Sequence, residues 1–274
     1  MKKISILDGN FGHHPDSVAQ YQKSEHFEWD RTGEIVSNTA FITDNYLKLV
    51  NKCNAKRKVA WLLEPPAINP GMYDWISQKH KEFDFVLTYD KSLLNKGSNF
   101  LFYPYGTTWI RDPKMYIEKL KDISIIASDK QFTQGHLFRK ECIDIVGKNN
   151  IDHFGRGYNE IRFKEEGLVD YKFSIVIENS KRDFYFSEKL VDCFLTKTIP
   201  IYWGCPSIEN FFDSRGILQF NDTKELENII NDIKSGNIVY EKLTPCITIN
   251  YSIAFDKYNI PENWIYENYK FLFK

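Results

Sequence analysis

The stretch Lys172-Phe173-Ser174-Ile175-Val176-Ile177-Glu178-Asn179-Ser180 is a short apolar run that ends abruptly in polar residues. After a brief loop comes Tyr185-Phe186-Ser187-Glu188-Lys189-Leu190. The first piece reads as a strand buried on both faces, the second as the start of a helix. Ser187 is suited to cap that helix. Glu188 and Lys189 then fall in its first turn, and Leu190, Val191, Phe194 and Leu195 form its apolar face. In open α/β sheets ligands bind beyond the carboxyl ends of strands, beside helix N-termini whose free N–H groups favour anions. A lysine at a helix N-terminus opposes the helix dipole, and an anionic ligand would offset that. Glu188 beside it is a planar acceptor suited to ribose hydroxyls. Taken locally, the pair fits a solvated helix start equally well.

The same alternation extends outward. Ile123–Ala127, Ile151–Phe154, Phe173–Ile177, Ile199–Trp203 and Gly216–Phe220 read as strands, with helices over Gly135–Val146, Glu188–Lys197 and Thr223–Lys234 and a short one at Ile208–Phe212. Upstream, Ile4–Leu7, Ala40–Ile42, Val59–Leu63, Phe85–Leu87 and Phe100–Tyr103 read as strands, with helices at Tyr46–Asn51 and Tyr73–Glu82. This βα alternation predicts parallel sheets covered by helices. Three segments are expected: 1–115 and 116–260, each Rossmann-like, and 261–274, a helix packing back on the first. The link lies near Pro104, Gly106 and Pro113.

Composition narrows the function. The 274 residues are 42% hydrophobic and 27% charged, which excludes a mainly disordered chain. Lys plus Arg number 36 against 37 Asp plus Glu, so the net charge of −1 argues against bulk attraction to nucleic acid. Five scattered cysteines, with no CxxC, point to a reducing compartment and no zinc site. No apolar run is long enough for a transmembrane segment, and the expected location is cytoplasmic.

Ile177-Glu178-Asn179-Ser180, Tyr185-Phe186-Ser187-Glu188-Lys189 and Ile199-Pro200-Ile201-Tyr202-Trp203-Gly204 stand in order between Lys172 and Phe212. Together they closely resemble the donor-binding signature of the family 10 glycosyltransferases, the α-1,3/1,4-fucosyltransferases. The resemblance implies a GT-B-type α/β fold, two Rossmann-like domains facing across a cleft, with GDP-fucose held mainly by the second. It implies that Asn179 and Tyr185 line the donor pocket, that Glu188 holds the ribose, and that Lys189 and Arg139 meet the diphosphate. Arg139 lies in Gly135-His136-Leu137-Phe138-Arg139, on the helix that opens the second domain; a surface arginine is the alternative. Phe154-Gly155-Arg156-Gly157-Tyr158 reads as a tight turn near the donor.

An inverting transferase needs a base for the acceptor hydroxyl. Glu64 ends the strand in Trp61-Leu62-Leu63-Glu64-Pro65-Pro66, where the prolines stop the sheet. Apolar surroundings there would raise its pKa. The family has a similar strand ending in Glu, commonly followed by serine where this chain has Pro65. A strand-end Glu that merely caps local N–H groups is the competing reading. His13 and His14, after the first strand, could touch an acceptor or simply be exposed. No Asp-x-Asp pair occurs, so no metal is expected, and no cofactor beyond the donor substrate itself. The expected reaction is inverting transfer of L-fucose from GDP-fucose to a glycan hydroxyl. The alternatives are another nucleotide sugar on the same fold, or a non-catalytic nucleotide- or glycan-binding module. A dinucleotide-binding dehydrogenase lacks support, because no Gly-x-Gly-x-x-Gly follows the first strand.

Overall fold

The alternation of apolar runs and amphipathic stretches resolves into two parallel sheets. A computed structural model of the chain describes residues 1–9, 11, 14–113 and 118–274. Contacts divide it into one unit of Met1–Thr107 with Lys257–Lys274 and another of Thr108–Asp256.

The first unit carries strands β1 (Lys2–Leu7), β2 (Phe27–Asp30), β3 (Thr39–Thr43), β4 (Arg57–Trp61), β5 (Phe85–Thr88) and β6 (Phe100–Phe102). Their order is β2-β1-β3-β4-β5-β6, with every pairing parallel. Helices α1 (Pro70–Lys79) and α2 (Lys91–Leu94) and a 3-10 segment over Asp44–Lys52 join them. Leu47, Val50, Met72, Ile76 and Phe83 pack on one apolar layer of the sheet. The other layer gathers Phe27, Phe41 and Trp61 with Ile265, Leu272 and Phe273 from the C-terminal segment. Strand β2 is absent from the sequence reading, because Phe27-Glu28-Trp29-Asp30 alternates for only four residues and sits at the sheet edge.

The second unit carries β7 (Lys121–Ile126), α3 (Gln134–Lys148), β8 (Asp152–Phe154), β9 (Tyr171–Ile177), α4 (Glu188–Leu195), β10 (Ile199–Trp203), β11 (Leu218–Gln219), α5 (Thr223–Lys234) and α6 (Tyr240–Ile253). The order β11-β10-β9-β7-β8 is again all parallel, with Ile123 opposite Phe173 and Ile175 opposite Ile201. Side-chain oxygens of Thr133, Ser187 and Asp222 accept N–H bonds at the starts of α3, α4 and α5, each such cap being worth about 1 kcal/mol. Helix α6 went unread because Pro245 and polar residues interrupt its pattern.

The C-terminal segment, with α7 (Pro261–Asn268), clusters with the first unit. Its Glu262 is fully buried. The carboxylate accepts from Ser17 Oγ at 2.6 Å, Val18 N–H at 3.0 Å and Trp29 Nε1 at 3.2 Å. The side chain of Tyr269 donates to the Phe102 carbonyl at 2.6 Å.

The strand order of the second unit contains a reversal. In the second unit the chain leaves β7 for β8 on one side and returns to β9 on the other. The crevice at the carboxyl ends of β7 and β9 is therefore the topological switch point, where open α/β sheets bind ligands. Among the described residues no helix is long and apolar enough to cross a membrane.

Candidate functional site

At that switch point the end of β9 meets the starts of α3 and α4. Gly135, in the first turn of α3, donates its N–H to the Asn179 carbonyl at 3.0 Å. A Cβ on Gly135 would lie 1.8 Å from the Glu178 carbonyl oxygen, so only glycine lets α3 ride this close on the end of β9. Gly155 has φ +122°, and a Cβ there would lie 2.2 Å from the Ala127 carbonyl, which brings the turn after β8 against the end of β7.

Glu178, fully buried, accepts from Ser187 N–H at 2.8 Å and Ser187 Oγ at 2.6 Å, which ties the end of β9 to the start of α4. Burial pushes its carboxyl up, and Lys189 opposes that. Lys189 Nζ stands 3.1 Å from Glu188 Oε1, 3.2 Å from Ser187 Oγ and 3.9 Å from Glu178 Oε2. Arg139 is 5% exposed and donates from Nη2 to the Ile177 carbonyl at 2.7 Å. Burial lowers its pKa, while the charges of Glu178 and Glu188 support the guanidinium. Tyr185 is buried within electrostatic reach of Arg139, and Asn179 is half-buried at the strand end. His136, whose Nδ1 is 2.8 Å from Thr133 Oγ1, is pushed down to about 4 by burial and by Arg139, Lys130 and Lys189, so it is neutral at pH 7.

Behind Glu188 lies a second layer. Lys164 Nζ reaches Glu188 Oε1 at 3.3 Å and Asp192 Oδ2 at 2.9 Å. Asp192 Oδ1 accepts from Thr108 Oγ1 at 2.7 Å and Trp109 N–H at 2.8 Å. Burial works against the charge on Glu188, but Lys189 and Lys164 outweigh it and hold the carboxyl well below the usual range. Three carboxylates (Glu178, Glu188, Asp192) thus face three cations (Arg139, Lys164, Lys189). Buried charge networks seldom stabilise a fold by more than they cost to desolvate.

In the first unit Glu64 follows β4 and is exposed, so the apolar surroundings expected for it are not found. Its carbonyl accepts from the Tyr73 hydroxyl at 3.0 Å, and its N–H points to Asp44 Oδ2 at 3.3 Å. Asp44 also accepts from Leu63 N–H at 2.9 Å. It is Asp44 whose carboxyl is raised, to about 7, by burial and by the charge of Glu64. His14 is half-buried and accepts from Asp16 N–H at 3.2 Å, while His13 lies outside the described residues.

Residues 118–243 match the family described as glycosyltransferase family 10 (fucosyltransferase), C-terminal part. Over this stretch the chain is similar to glycosyltransferase family 10. An α-(1,3)-fucosyltransferase, FucT, of Helicobacter pylori is 38% identical over 78 residues, 28% of this chain and 16% of that protein. The chain thus matches about a sixth of that relative's length. A crystal structure of an α1,3-fucosyltransferase with GDP superposes with a TM-score of 0.60 at 19% identity, covering 99% of this chain and 88% of the other. One with GDP-fucose gives 0.56 at 18% identity, covering 91% and 82%. At these identities the superpositions establish the fold, GT-B-type α/β with two Rossmann-like units.

Within the family 10 stretch, the geometry gathers Arg139, Asn179, Tyr185, Glu188 and Lys189 about one strand end. Cations and helix starts there can meet phosphate oxygens, and an ionised carboxylate can accept from sugar hydroxyls. Sequence reading missed Lys164, Asp192 and Asp44. Asp192 carried a signal, a carboxylate four residues after Glu188 on an otherwise apolar helix. Lys164 carried none, being 24 residues upstream of Glu188 in sequence. Among the described residues no group of three or more His, Cys, Asp or Glu is placed to hold a metal ion.

Proposed function

We propose that this chain is an inverting α-fucosyltransferase that moves L-fucose from GDP-fucose to a glycan hydroxyl. The observation that carries this reading is the cluster of Arg139, Glu188 and Lys189 at the switch point of a family 10 stretch. The GDP and GDP-fucose named for the superposed fucosyltransferases supply the donor.

In this reading Asn179 and Tyr185 line the donor pocket, and Glu188 accepts from the ribose. Lys189 and Arg139 take the diphosphate, which leaves as GDP when the bond to the sugar's anomeric carbon breaks. Arg139 suits that task because Nη2 is spent on the Ile177 carbonyl, which fixes the plane of the guanidinium. Cations preorganised in a buried site stabilise developing negative charge without rearranging as it forms. On the first unit Glu64 takes the proton of the acceptor hydroxyl. The new carbon–oxygen bond forms on the face opposite the departing diphosphate, and the configuration inverts. His14 is an acceptor-side candidate. No metal enters the scheme, since fixed cations replace it.

The test is nucleotide release from GDP-fucose, GDP-mannose, UDP-galactose, UDP-glucose and UDP-N-acetylglucosamine with mixed oligosaccharide acceptors and EDTA. Release from GDP-fucose alone, with an anomeric configuration in the product opposite to the donor's, is the expected result. Release from another donor would keep the chemistry and overturn the fucosyl assignment.

A further inference from the structure

The second layer behind Glu188 has no part in the scheme above, yet its geometry is specific. Both ammonium groups near Glu188, those of Lys164 and Lys189, reach the same oxygen, Oε1. Among the described residues Oε2 accepts no hydrogen bond, and the Glu188 side chain keeps 11% of its exposure. Lys164 is fixed in turn by Asp192, and Asp192 by Thr108 and the Trp109 N–H. The Trp109 ring lies under the Lys164 ammonium, 4.5 Å from its centroid.

We propose that Lys164 is a positioning residue for the ribose of the donor: by holding Glu188 Oε1 against Asp192, it presents Oε2 to the sugar hydroxyls and frees Lys189 for the diphosphate. The proposal rests on the reading that Glu188 meets the ribose. Lys189 shares its ammonium among Ser187, Glu188 and Glu178. If it were the sole counter-charge of Glu188, moving it to a phosphate would leave a buried carboxylate unpaired, which is costly. Lys164 removes that conflict, because it stays on Glu188 whichever way Lys189 turns. It also fixes the carboxylate plane. A carboxylate held through one oxygen offers the lone pairs of the other in a set direction, as recognition of a vicinal diol needs.

The measurement is the ratio of affinities for GDP and its 2′,3′-dideoxy analogue, by calorimetry. Lys164→Met alone would strand two buried carboxylates and could unfold the unit. The main variant is therefore Lys164→Met with Asp192→Asn, which removes the ammonium together with one opposing charge and keeps an oxygen for Thr108 and Trp109. Wild type is expected to favour GDP by about tenfold or more, as hydrogen bonds to a charged acceptor imply. The double variant should still bind GDP, with the ratio reduced to about threefold or less. Lys164→Arg, which keeps the charge on a differently shaped group, should give an intermediate ratio and serves if the double variant does not fold. A folded variant that keeps the wild-type ratio overturns the proposal, since a merely structural lysine would leave it unmoved. If wild type shows no preference for the ribose, or Glu188→Gln retains it, the assignment of Glu188 to the ribose fails instead, and the proposal with it.

Discussion

In the proposed scheme Lys189 and Glu64 carry separate tasks, which single substitutions would separate. Lys189→Met should weaken GDP binding by about tenfold or more, because a charge-assisted contact to phosphate is lost. Glu64→Gln should leave GDP affinity within about twofold and lower kcat by about a hundredfold or more, the usual contribution of a general base. Steady-state kinetics paired with a GDP titration reads both. If Glu64→Gln keeps its turnover, the base lies elsewhere. Asp44 gives a pH prediction. Its carboxyl rises from 3.8 to about 7 on folding, through burial and the charge of Glu64. A group raised in this way favours the folded state fully below about pH 4, and that contribution fades as pH climbs through 7. Asp44→Asn keeps an oxygen for the Leu63 N–H and suits the positive φ of 36° at this position. It should therefore raise Tm at pH 8 and change it little at pH 4; a variant that loses Tm equally at both would contradict this. The gathering of Glu188, Lys189 and Asn179 at one strand end was legible because strand, loop and helix start follow one another in sequence. Lys164 and Asp44 were not, because what gives them meaning is a partner that only the fold brings near.

Elements explain why the strand end is so well fixed. Gly135 and Ser187 join α3, β9 and α4 into one junction. Gly135→Ala would force a methyl to within 1.8 Å of a backbone oxygen that cannot swing away. It should lower Tm and weaken GDP binding together, since the same junction places Arg139 and Asn179. Ser187→Ala removes the cap of α4 and one of the two bonds to buried Glu178, a loss of about 2–3 kcal/mol measurable by urea unfolding. A Ser187→Ala variant as stable as wild type would mean that Glu178 finds another donor. Most strands could be read from short apolar runs, and the amphipathic faces of α3, α4 and α5 from their period. Weak periodicity hid the rest. Strand β2 has two aromatic residues among charges, α2 is a single turn, and α6 holds a proline. The stretch read as a helix at Tyr46–Asn51 is a 3-10 segment beginning at Asp44, whose positive φ opens it.

The whole chain is two α/β units, with its last residues counted in the first. Composition could not say this. The aromatic tail suggested it, and Glu262 does the tying, with three donors on one buried carboxylate. Glu262→Ala should cost about 3 kcal/mol or more in the first unit, by leaving buried donors unpaired, and should not change GDP affinity. In the proposed scheme nucleotide binding belongs to the second unit and proton removal to the first. The most direct test is a calorimetric titration of GDP and UDP, in EDTA, against wild type and Lys189→Met. The account predicts that GDP binds wild type at least tenfold more tightly than UDP and that Lys189→Met loses most of this binding. UDP binding as tight as GDP, or GDP binding untouched by Lys189→Met, would contradict it.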